Sequence, residues 1–351
     1  MNKKLLALAV ASAVAPLYAH AAGSLNIYGG VGMAVESIDT DVQSALGVNS
    51  NHSALGFEGS MGLSNGMDAV FHYDTFVNLD GGGDTLFDGG RDGWAGLRGG
   101  FGTVALGFQG RPWKTLSHAL DPFEGTIADY SSVMGNAGNG STYFDGGIGH
   151  AIIWFGPDMD GLSWHVQYGA EEVEDGANNM GAQIHYSNDM YFVGASFDAN
   201  DGGSGGTDEE AMKLVGSINL DGGFTVTGAF ESISGAGFVD GADRDAFWLA
   251  GSYQAGDTRF SLAFATADEL DTVDDSGASQ ASLGIFHNLA ENTTVYAIFT
   301  SISNDDGGSY RFVSAPHTSS FDSDLYTGGV AGEDSSAVAL GIKYNFSADV
   351  M

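Results

Sequence analysis

The stretch VALGIKYNF, residues 338–346, alternates between apolar and small or polar side chains at every position. Successive side chains of a β-strand point to opposite faces, so this pattern predicts a strand with one oily and one hydrated face. The oily face holds Val338, Leu340, Ile342, Tyr344 and Phe346, and the other face holds Ala339, Gly341, Lys343 and Asn345.

The same period of two recurs along the whole chain, for example in residues 25–36, 164–168, 183–186 and 224–231. Connections between such segments alternate between short turns and long, acidic, Gly-rich loops. Seven short and eight long connections join sixteen strands, an even number that places both chain termini on the short-turn side, which would be periplasmic. The short ones lie near residues 62–66, 99–102, 157–161, 187–189, 221–223, 255–257 and 290–292, and the long ones near 37–50, 80–90, 110–142, 173–178, 200–210, 235–243, 268–277 and 304–334.

This rhythm predicts an all-β fold: a sixteen-stranded antiparallel transmembrane β-barrel. A soluble β-sandwich would also alternate, but it would bury its apolar face in a closed core. Here the apolar face carries aromatic residues near strand ends, as expected for girdles at two membrane interfaces. These residues are Trp94, Trp154, Trp164, Tyr186, Tyr253, Phe264 and Tyr344.

The N-terminus has the three parts of an export signal. Lys3 and Lys4 precede an apolar run over residues 5–17, and the small-x-small sequence at residues 19–21 is a cleavage site. We therefore predict a signal peptide over residues 1–21 and one barrel domain over residues 22–351. Cysteine is absent, so a closed hydrogen-bonded barrel has to supply the stability that disulfides give other exported proteins.

The chain is strongly acidic, with 45 acidic against 11 basic residues and a formal net charge of −34. Such a charge repels nucleic acid, which we exclude as a partner. Most of these acids are expected to be solvated surface groups on exposed loops.

Residues 111–140, RPWKTLSHALDPFEGTIADYSSVMGNAGNG, interrupt the strand pattern and are too apolar for a loop in water. Structureless loops of this length are uncommon and usually functional. We predict that this third loop folds into the barrel and narrows it. Its apolar residues are Trp113, Leu116, Leu120, Phe123, Ile127, Tyr130 and Met134.

Four stretches resemble the general porins of Gram-negative outer membranes. Residues 55–76 are similar to their second and third strands, and residues 91–113 to their fourth and fifth strands. The sequence DPFEG at residues 121–125 resembles the tip of their inward-folded third loop, and residues 338–346 resemble their closing strand. The resemblance implies a homotrimer in outer-membrane lipid and lipopolysaccharide, through which small hydrophilic solutes and ions diffuse.

A pore constriction selects ions through the charges that line it. On the third loop, Asp121 and Glu124 are at the tip and Asp129 lies farther along, and Arg91, Arg111 and Lys114 are the nearest cations. Each has a structural alternative, such as a turn-starting role for Asp121 before Pro122.

The wall opposite the loop departs from the family pattern. Relatives commonly carry several arginines there, and Arg91 matches one such position. At the others the chain has Ala54, Phe108 and Tyr143. We therefore expect the pore to prefer cations.

Enzymatic motifs do not stand out. His150, His165 and His185 fall in separate strands, and neither H-E-x-x-H nor G-x-S-x-G occurs. We predict no enzymatic activity, no cofactor and no dedicated metal site. The acidic loops at residues 80–84 and 202–210 nevertheless offer carboxylates to Ca²⁺ or Mg²⁺.

The sequence thus predicts an outer-membrane porin for passive diffusion, with two alternatives. One is a sugar-preferring channel in which Trp113 and Tyr130 form a stacking surface. The other is a structural or adhesive barrel whose acidic loops act outside the cell.

The barrel prediction can be tested on the detergent-solubilised protein. Circular dichroism is expected to report overwhelmingly β-structure, and the protein is expected to migrate as an oligomer until it is heated. A substantially helical spectrum, or solubility without detergent, would contradict the predicted architecture.

Overall fold

The computed structural model describes residues 23–41, 43–81, 86–138, 142–170, 178–203, 206–312 and 330–350. The predicted signal peptide lies outside these ranges. In the described residues, no helix is both long and apolar enough to cross a membrane.

Antiparallel strands make up most of the described chain. In chain order they are β1 Gly23–Thr40, β2 Ser44–Ser50, β3 Ala54–Gly62, β4 Asp68–Val77, β5 Phe87–Gly99, β6 Gly102–Gly110, β7 Gly147–Phe155, β8 Leu162–Gly169, β9 Asn179–Ser187, β10 Tyr191–Asn200, β11 Glu209–Leu220, β12 Phe224–Ser234, β13 Arg244–Ala255, β14 Thr258–Ala267, β15 Ala278–Ala290, β16 Thr293–Asn304 and β17 Ser335–Asp349.

The sheet closes on itself with sixteen strand positions. From β3 to β17 each strand pairs with the next one in sequence, and β1 pairs with β17 from Asn26↔Asp349 to Thr40↔Ser335. On its other side β1 pairs with both β2 and β3, which therefore occupy one position in the wall. The predicted sixteen-stranded antiparallel barrel is confirmed, and β17 continues beyond Phe346, the last aromatic residue of the closing strand.

Alternation along each strand separates two faces of the wall. In β11, Met212 and Leu214 are 57% and 54% exposed, whereas Ala211, Lys213 and Val215 between and beside them are buried. A soluble protein would bury the large apolar residues, but here they form the outer surface. Because β-strands in lipid must pair every backbone group internally, a closed barrel with this outer face suits a membrane.

The second wall position contains a break between β2 and β3. Asn51 donates its backbone N–H to the Gly32 carbonyl at 2.8 Å. Its side-chain amide and that of Asn49 donate to the buried carboxylate of Glu36 at 2.6 and 2.7 Å. The pairing with β1 shifts by one residue across the break, from Gly30↔Ala54 to Met33↔Ser50.

The sequence prediction of a long connection near residues 37–50 was wrong. β1 runs to Thr40 and β2 begins at Ser44, so only residues 41–43 connect them. The reason is the one-residue shift at the break. In β2 the even-numbered residues, such as Leu46 and Val48, point outward, whereas in β3 the even-numbered residues point inward. The alternation of the sequence is therefore interrupted between the two strands.

Gly32 makes the break possible. A Cβ atom at this position would overlap the carbonyl oxygen of Asn51. Substitution Gly32→Ala is therefore expected to lower the free energy of unfolding by about 1–3 kcal/mol, the usual cost of overpacking. The measurement is the temperature at which half of the protein has lost the gel mobility of the folded form.

Gly251→Ala is the matched control, because a Cβ atom at Gly251 in β13 meets no atom within 4 Å. Its midpoint should stay close to that of the unaltered protein. Equal midpoints for the two variants would contradict the role given to Gly32.

Candidate functional site

The connection between β6 and β7, residues 111–146, is described for residues 111–138 and 142–146. It begins with a short helix, α1 Pro112–Ser117, and continues through 3₁₀ turns at His118–Leu120 and Tyr130–Ser132. Proline at the start of α1 has a backbone angle already suited to a helix and lacks the N–H that would go unpaired there. We call residues 111–146 the inner segment.

Apolar side chains attach the inner segment to the wall. Phe123 meets the ring of Phe286 with centroids 5.9 Å apart, and Tyr130 meets Trp248 at 4.7 Å. These wall residues belong to the face opposite the exposed apolar belt. Six of the seven apolar residues noted in the sequence are at most 3% exposed, namely Trp113, Leu116, Phe123, Ile127, Tyr130 and Met134.

Charged wall residues hold the start of the inner segment. The ammonium of Lys213 lies 3.2 Å from the centroid of the Trp113 ring and donates to the Ser117 hydroxyl at 2.6 Å. The Asp198 carboxylate accepts the backbone N–H of Trp113 at 2.8 Å. Because buried charges are costly unless they are paired or hydrogen-bonded, these contacts both satisfy the charged groups of the wall and position the segment.

A second group of contacts holds the inner segment at residues 135–136. Arg244 and Glu231 form an ion pair at 2.8 Å, and both side chains are fully buried. Glu231 also accepts the Gly135 backbone N–H at 3.0 Å, and Arg244 donates to the Asn136 carbonyl. The segment is thus fixed at two places, near its start and at residues 135–136, to strands that are distant from it in sequence.

Asp121 and Asp129 mainly bind the backbone of the inner segment itself. Asp121 is 6% exposed and accepts the N–H groups of Phe123 and Tyr130 at 2.9 and 3.2 Å. Burial and the nearby charge of Asp129 raise the pKa of Asp121 well above its usual value.

Asp129 is fully buried and accepts the N–H groups of Ser131 and Gly125 at 3.0 and 3.2 Å. Burial alone would raise the pKa of Asp129. His118 at 3.8 Å and these donors outweigh burial and lower the pKa.

Arg111 and Lys114 are also engaged in structural contacts. Arg111 is 7% exposed and donates to the Asn200 side chain at 2.7 Å. Lys114 reaches the carboxylate of Asp145 at 3.4 Å and its carbonyl oxygen at 3.0 Å. Burial lowers the pKa of Arg111 despite the charges of Asp198 and Glu209.

Glu124 and Arg91 are brought together. Both line a cavity of about 450 Å³ between the inner segment and the wall formed by β1, β3, β4, β5 and β17. The Glu124 side chain is 41% exposed and accepts a hydrogen bond from His118 at 2.7 Å. The Arg91 guanidinium lies over the Phe76 ring, 4.8 Å from its centroid.

Three further residues of this cavity were not selected from the sequence. They are His52, which follows the break after β2, Asp74 in β4 and Lys343 in β17. Lys343 donates to the Glu124 carbonyl. Asp74 and Lys343 lie on the polar face of clearly alternating strands, so the alternation in the sequence could have predicted that both side chains face the interior.

A second cavity of about 380 Å³ lies on another side of the inner segment. Arg259 lines it together with Asp121 and Pro122, and donates to the Pro122 carbonyl at 3.0 Å. Arg259 was likewise not selected from the sequence, because it lies in a strand far from the third loop in sequence.

Two further sequence interpretations need correction or restriction. Trp94 was placed on the outer apolar face, but its ring stacks on His72 at 5.5 Å and its N–H donates to Gln109 at 2.8 Å, on the inner face. The proposed cation-binding loops at residues 80–84 and 202–210 lie partly outside the described residues.

The His118–Glu124 contact is expected to depend on pH. Burial lowers the pKa of His118, but the Glu124 hydrogen bond and the charge of Asp129 raise it more, so its net pKa is above the usual value. A raised histidine pKa stabilises the fold fully below about pH 6.5, and the benefit disappears as pH rises through the folded-state pKa.

A double-mutant cycle with His118→Gln and Glu124→Gln tests this. Because Glu124 is partly exposed, we expect a coupling energy of about 1 kcal/mol at pH 6 and a smaller one at pH 9. The measurement is the thermal midpoint of the four proteins at both pH values. Coupling that grows with pH would contradict the charged His118 contact.

Comparisons with known proteins agree with this architecture. A family model described as Gram-negative porin matches residues 7–307. Outer membrane porin protein 32 of Delftia acidovorans is 26% identical over 364 residues, covering 99% of this chain and 100% of that protein. Major outer membrane protein P.IA of Neisseria meningitidis serogroup C is 31% identical over 116 residues, covering 33% of this chain and 28% of that protein.

Among solved structures, an anion-selective porin from Comamonas acidovorans superposes with a TM-score of 0.78 at 22% identity, covering 93% of this chain and 100% of that one. The trimer form of OmpT from Vibrio cholerae gives a TM-score of 0.65 at 15% identity, with 93% and 100% coverage. Both show a shared fold. The family match spans most of the sequence, and the chain therefore belongs to the Gram-negative porins of the bacterial outer membrane.

Proposed function

We propose that this porin forms a water-filled channel through which small hydrophilic solutes and ions diffuse passively, with a preference for cations. The observation that supports the proposal is the cavity of about 450 Å³ between the inner segment and the wall, which is lined by charged side chains. An interior lined by charged groups hydrates easily, whereas the exposed apolar belt faces outer-membrane lipid and lipopolysaccharide. Members of the family include trimers, and we expect this chain to form a homotrimer.

The cation preference rests on the wall more than on the loop tip. Glu58, Asp74 and Asp92 lie on the inner face of β3, β4 and β5, and Glu124 faces them from the inner segment. The cations that line the cavity are Arg91 and Lys343, and the nearby Lys114 is paired with Asp145. Among the residues that line the cavity, the two acids Asp74 and Glu124 match the two cations, so the excess of acid comes from Glu58 and Asp92 on the adjoining inner faces.

The acids of the inner segment contribute less. The carboxylates of Asp121 and Asp129 are directed to backbone N–H groups and are almost fully buried. A permeating ion meets the half-exposed Glu124 more readily.

The sugar-channel alternative is not supported at the residues first considered for it. Trp113 and Tyr130 are 0% and 2% exposed, so their rings have no free face for a sugar. A structural or adhesive barrel would be favoured only if the purified protein failed to conduct.

Ion preference is measured as the zero-current potential of the purified protein in a KCl gradient across a planar bilayer. We expect K⁺ to be favoured over Cl⁻. A unit charge about 8 Å from the ion path contributes roughly 2 kcal/mol before screening at an effective dielectric constant near 20. Asp92→Asn combined with Glu58→Gln should therefore lower the permeability ratio at least about threefold, even with salt screening.

The matched control neutralises an exposed pair beyond β16, with Asp305→Asn and Asp306→Asn. Screening should make its effect smaller than that of the wall pair. Asp121→Asn should also have little effect on ion preference. An anion preference in the unaltered protein, such as the relative from Comamonas acidovorans is described as having, would refute the proposed selectivity.

A further inference from the structure

Three metal-ligand side chains converge on the inner wall of the barrel. His72 and Asp74 alternate along β4 and share its inner face, and Asp92 of β5 is the direct partner of Asp74 in the strand register. One ligand atom from each of the three lies within 4.8 Å of the other two. The strand pairing thus places an imidazole and two carboxylates around one point.

The two carboxylates lack a cationic partner in the described part of the chain. Asp74 is 8% exposed, and its Oδ1 accepts the backbone N–H of Asp92 at 2.9 Å. Asp92 uses its Oδ1 for the backbone N–H of Gly110 at 2.6 Å. Among the described residues, no lysine or arginine nitrogen lies within 4.0 Å of either carboxylate.

Two other buried acids of the wall have a cationic partner, and Glu36 instead accepts hydrogen bonds from the side-chain amides of Asn49 and Asn51. Glu231 has the guanidinium of Arg244 at 2.8 Å, and Asp198 has that of Arg111 at 4.0 Å. Two neighbouring carboxylates in a partly dry wall repel each other, so a positive charge between them is favoured. Arg91 adjoins the pair in sequence but lies over the ring of Phe76.

Other polar groups complete the surroundings of the cluster. The Tyr28 hydroxyl lies 3.1 Å from Nε2 of His72, and the Glu58 carboxylate lies 3.8 Å from its Nδ1. Trp94 stacks on the imidazole ring and restricts its rotation. Oriented, restricted ligands lose little entropy when they bind a metal ion.

We infer that His72, Asp74 and Asp92 form a binding site for a divalent transition-metal ion, with Zn²⁺ as the best match. Zn²⁺ accepts histidine nitrogen and carboxylate oxygen together, and three protein ligands leave a position for water. Ca²⁺ and Mg²⁺ prefer oxygen ligands alone, so the imidazole disfavours them. The sequence had suggested no dedicated metal site, because the third ligand comes from the neighbouring strand.

The site borders the channel cavity through Tyr28 and Asp74, which also line that cavity. A bound divalent ion would place two positive charges on the wall beside Arg91. It would thus reverse the local excess of negative charge and hinder cations. This consequence rests on the proposed channel function, whereas the binding itself does not.

Binding is tested with Co²⁺, which replaces Zn²⁺ and absorbs visible light when ligated. Untagged, folded oligomer in detergent is expected to bind about one Co²⁺ per chain, and Zn²⁺ should displace it. His72→Gln removes the nitrogen ligand, and Asp74→Asn keeps the acceptor for the Asp92 N–H while removing the charge. Each should weaken Co²⁺ binding by roughly tenfold or more.

His185→Gln is the matched control. His185 also faces inward, where it stacks on Phe192 at 4.9 Å, but it is not part of the cluster. Its substitution should leave the Co²⁺ titration unchanged. Absence of Co²⁺ binding, or equal binding by the unaltered protein and both cluster variants, would overturn the inferred site.

The channel consequence has its own measurement. Micromolar Zn²⁺ is expected to lower the single-channel K⁺ current of the unaltered protein and to leave that of His72→Gln unchanged. Unchanged current in a protein that binds Co²⁺ would overturn the predicted effect on permeation. Absence of any current in metal-free KCl would instead refute the proposed channel, and the absorption titration would still decide the metal site.

Discussion

Closure of the sheet by pairing of β1 with β17 is the constraint on which the rest of the structure depends. In lipid an unpaired strand edge would leave backbone N–H and C=O groups without partners, at several kcal/mol each. Once the sheet is closed, every side chain in a strand points either to the lipid or to the interior. A one-residue change of register exchanges the two directions. The break at Asn51 shifts the register between β2 and β3 by one residue without opening the barrel. This is possible because Gly32 has no side chain and the Asn51 backbone can approach it closely.

The inner segment shows how a closed barrel holds a long connection in its interior. Apolar rings supply contact area, but the wall they meet is the polar face of the strands. The wall therefore contributes charged side chains that are satisfied by the segment itself: Lys213 under the Trp113 ring, and Arg244 with Glu231 around Gly135. Removing one partner of such a group leaves a buried, unpaired charge. The conformation of the segment and the satisfaction of the buried wall charges thus depend on each other.

The sequence was informative wherever one rule operated without interruption. Strict alternation predicted the strands, their number and the short turns, because the two faces meet different solvents. Prediction failed at residues 37–50, where the phase changes at the break, and at Trp94, which an inner cluster of rings accommodates. The acids of the loop tip could not be assigned from sequence, since exposure decides their role. Asp121 and Glu124 are three residues apart, yet one binds backbone N–H groups and the other is 41% exposed.

The same distinction decides which charges can act on a permeating ion. The net charge of −34 describes the whole chain, but salt screens outer acids within about 8 Å at physiological ionic strength. Buried acids such as Asp129 and Glu231 have their fields compensated by a neighbouring histidine, His118, or by an arginine. What remains is a small set of wall groups that face the cavity with incomplete compensation. Asp74 and Asp92 belong to this set because their described hydrogen bonds come from backbone N–H groups, which carry no net charge. Selectivity and metal binding would then draw on the same uncompensated pair, so an ion held there would alter the field that other ions meet.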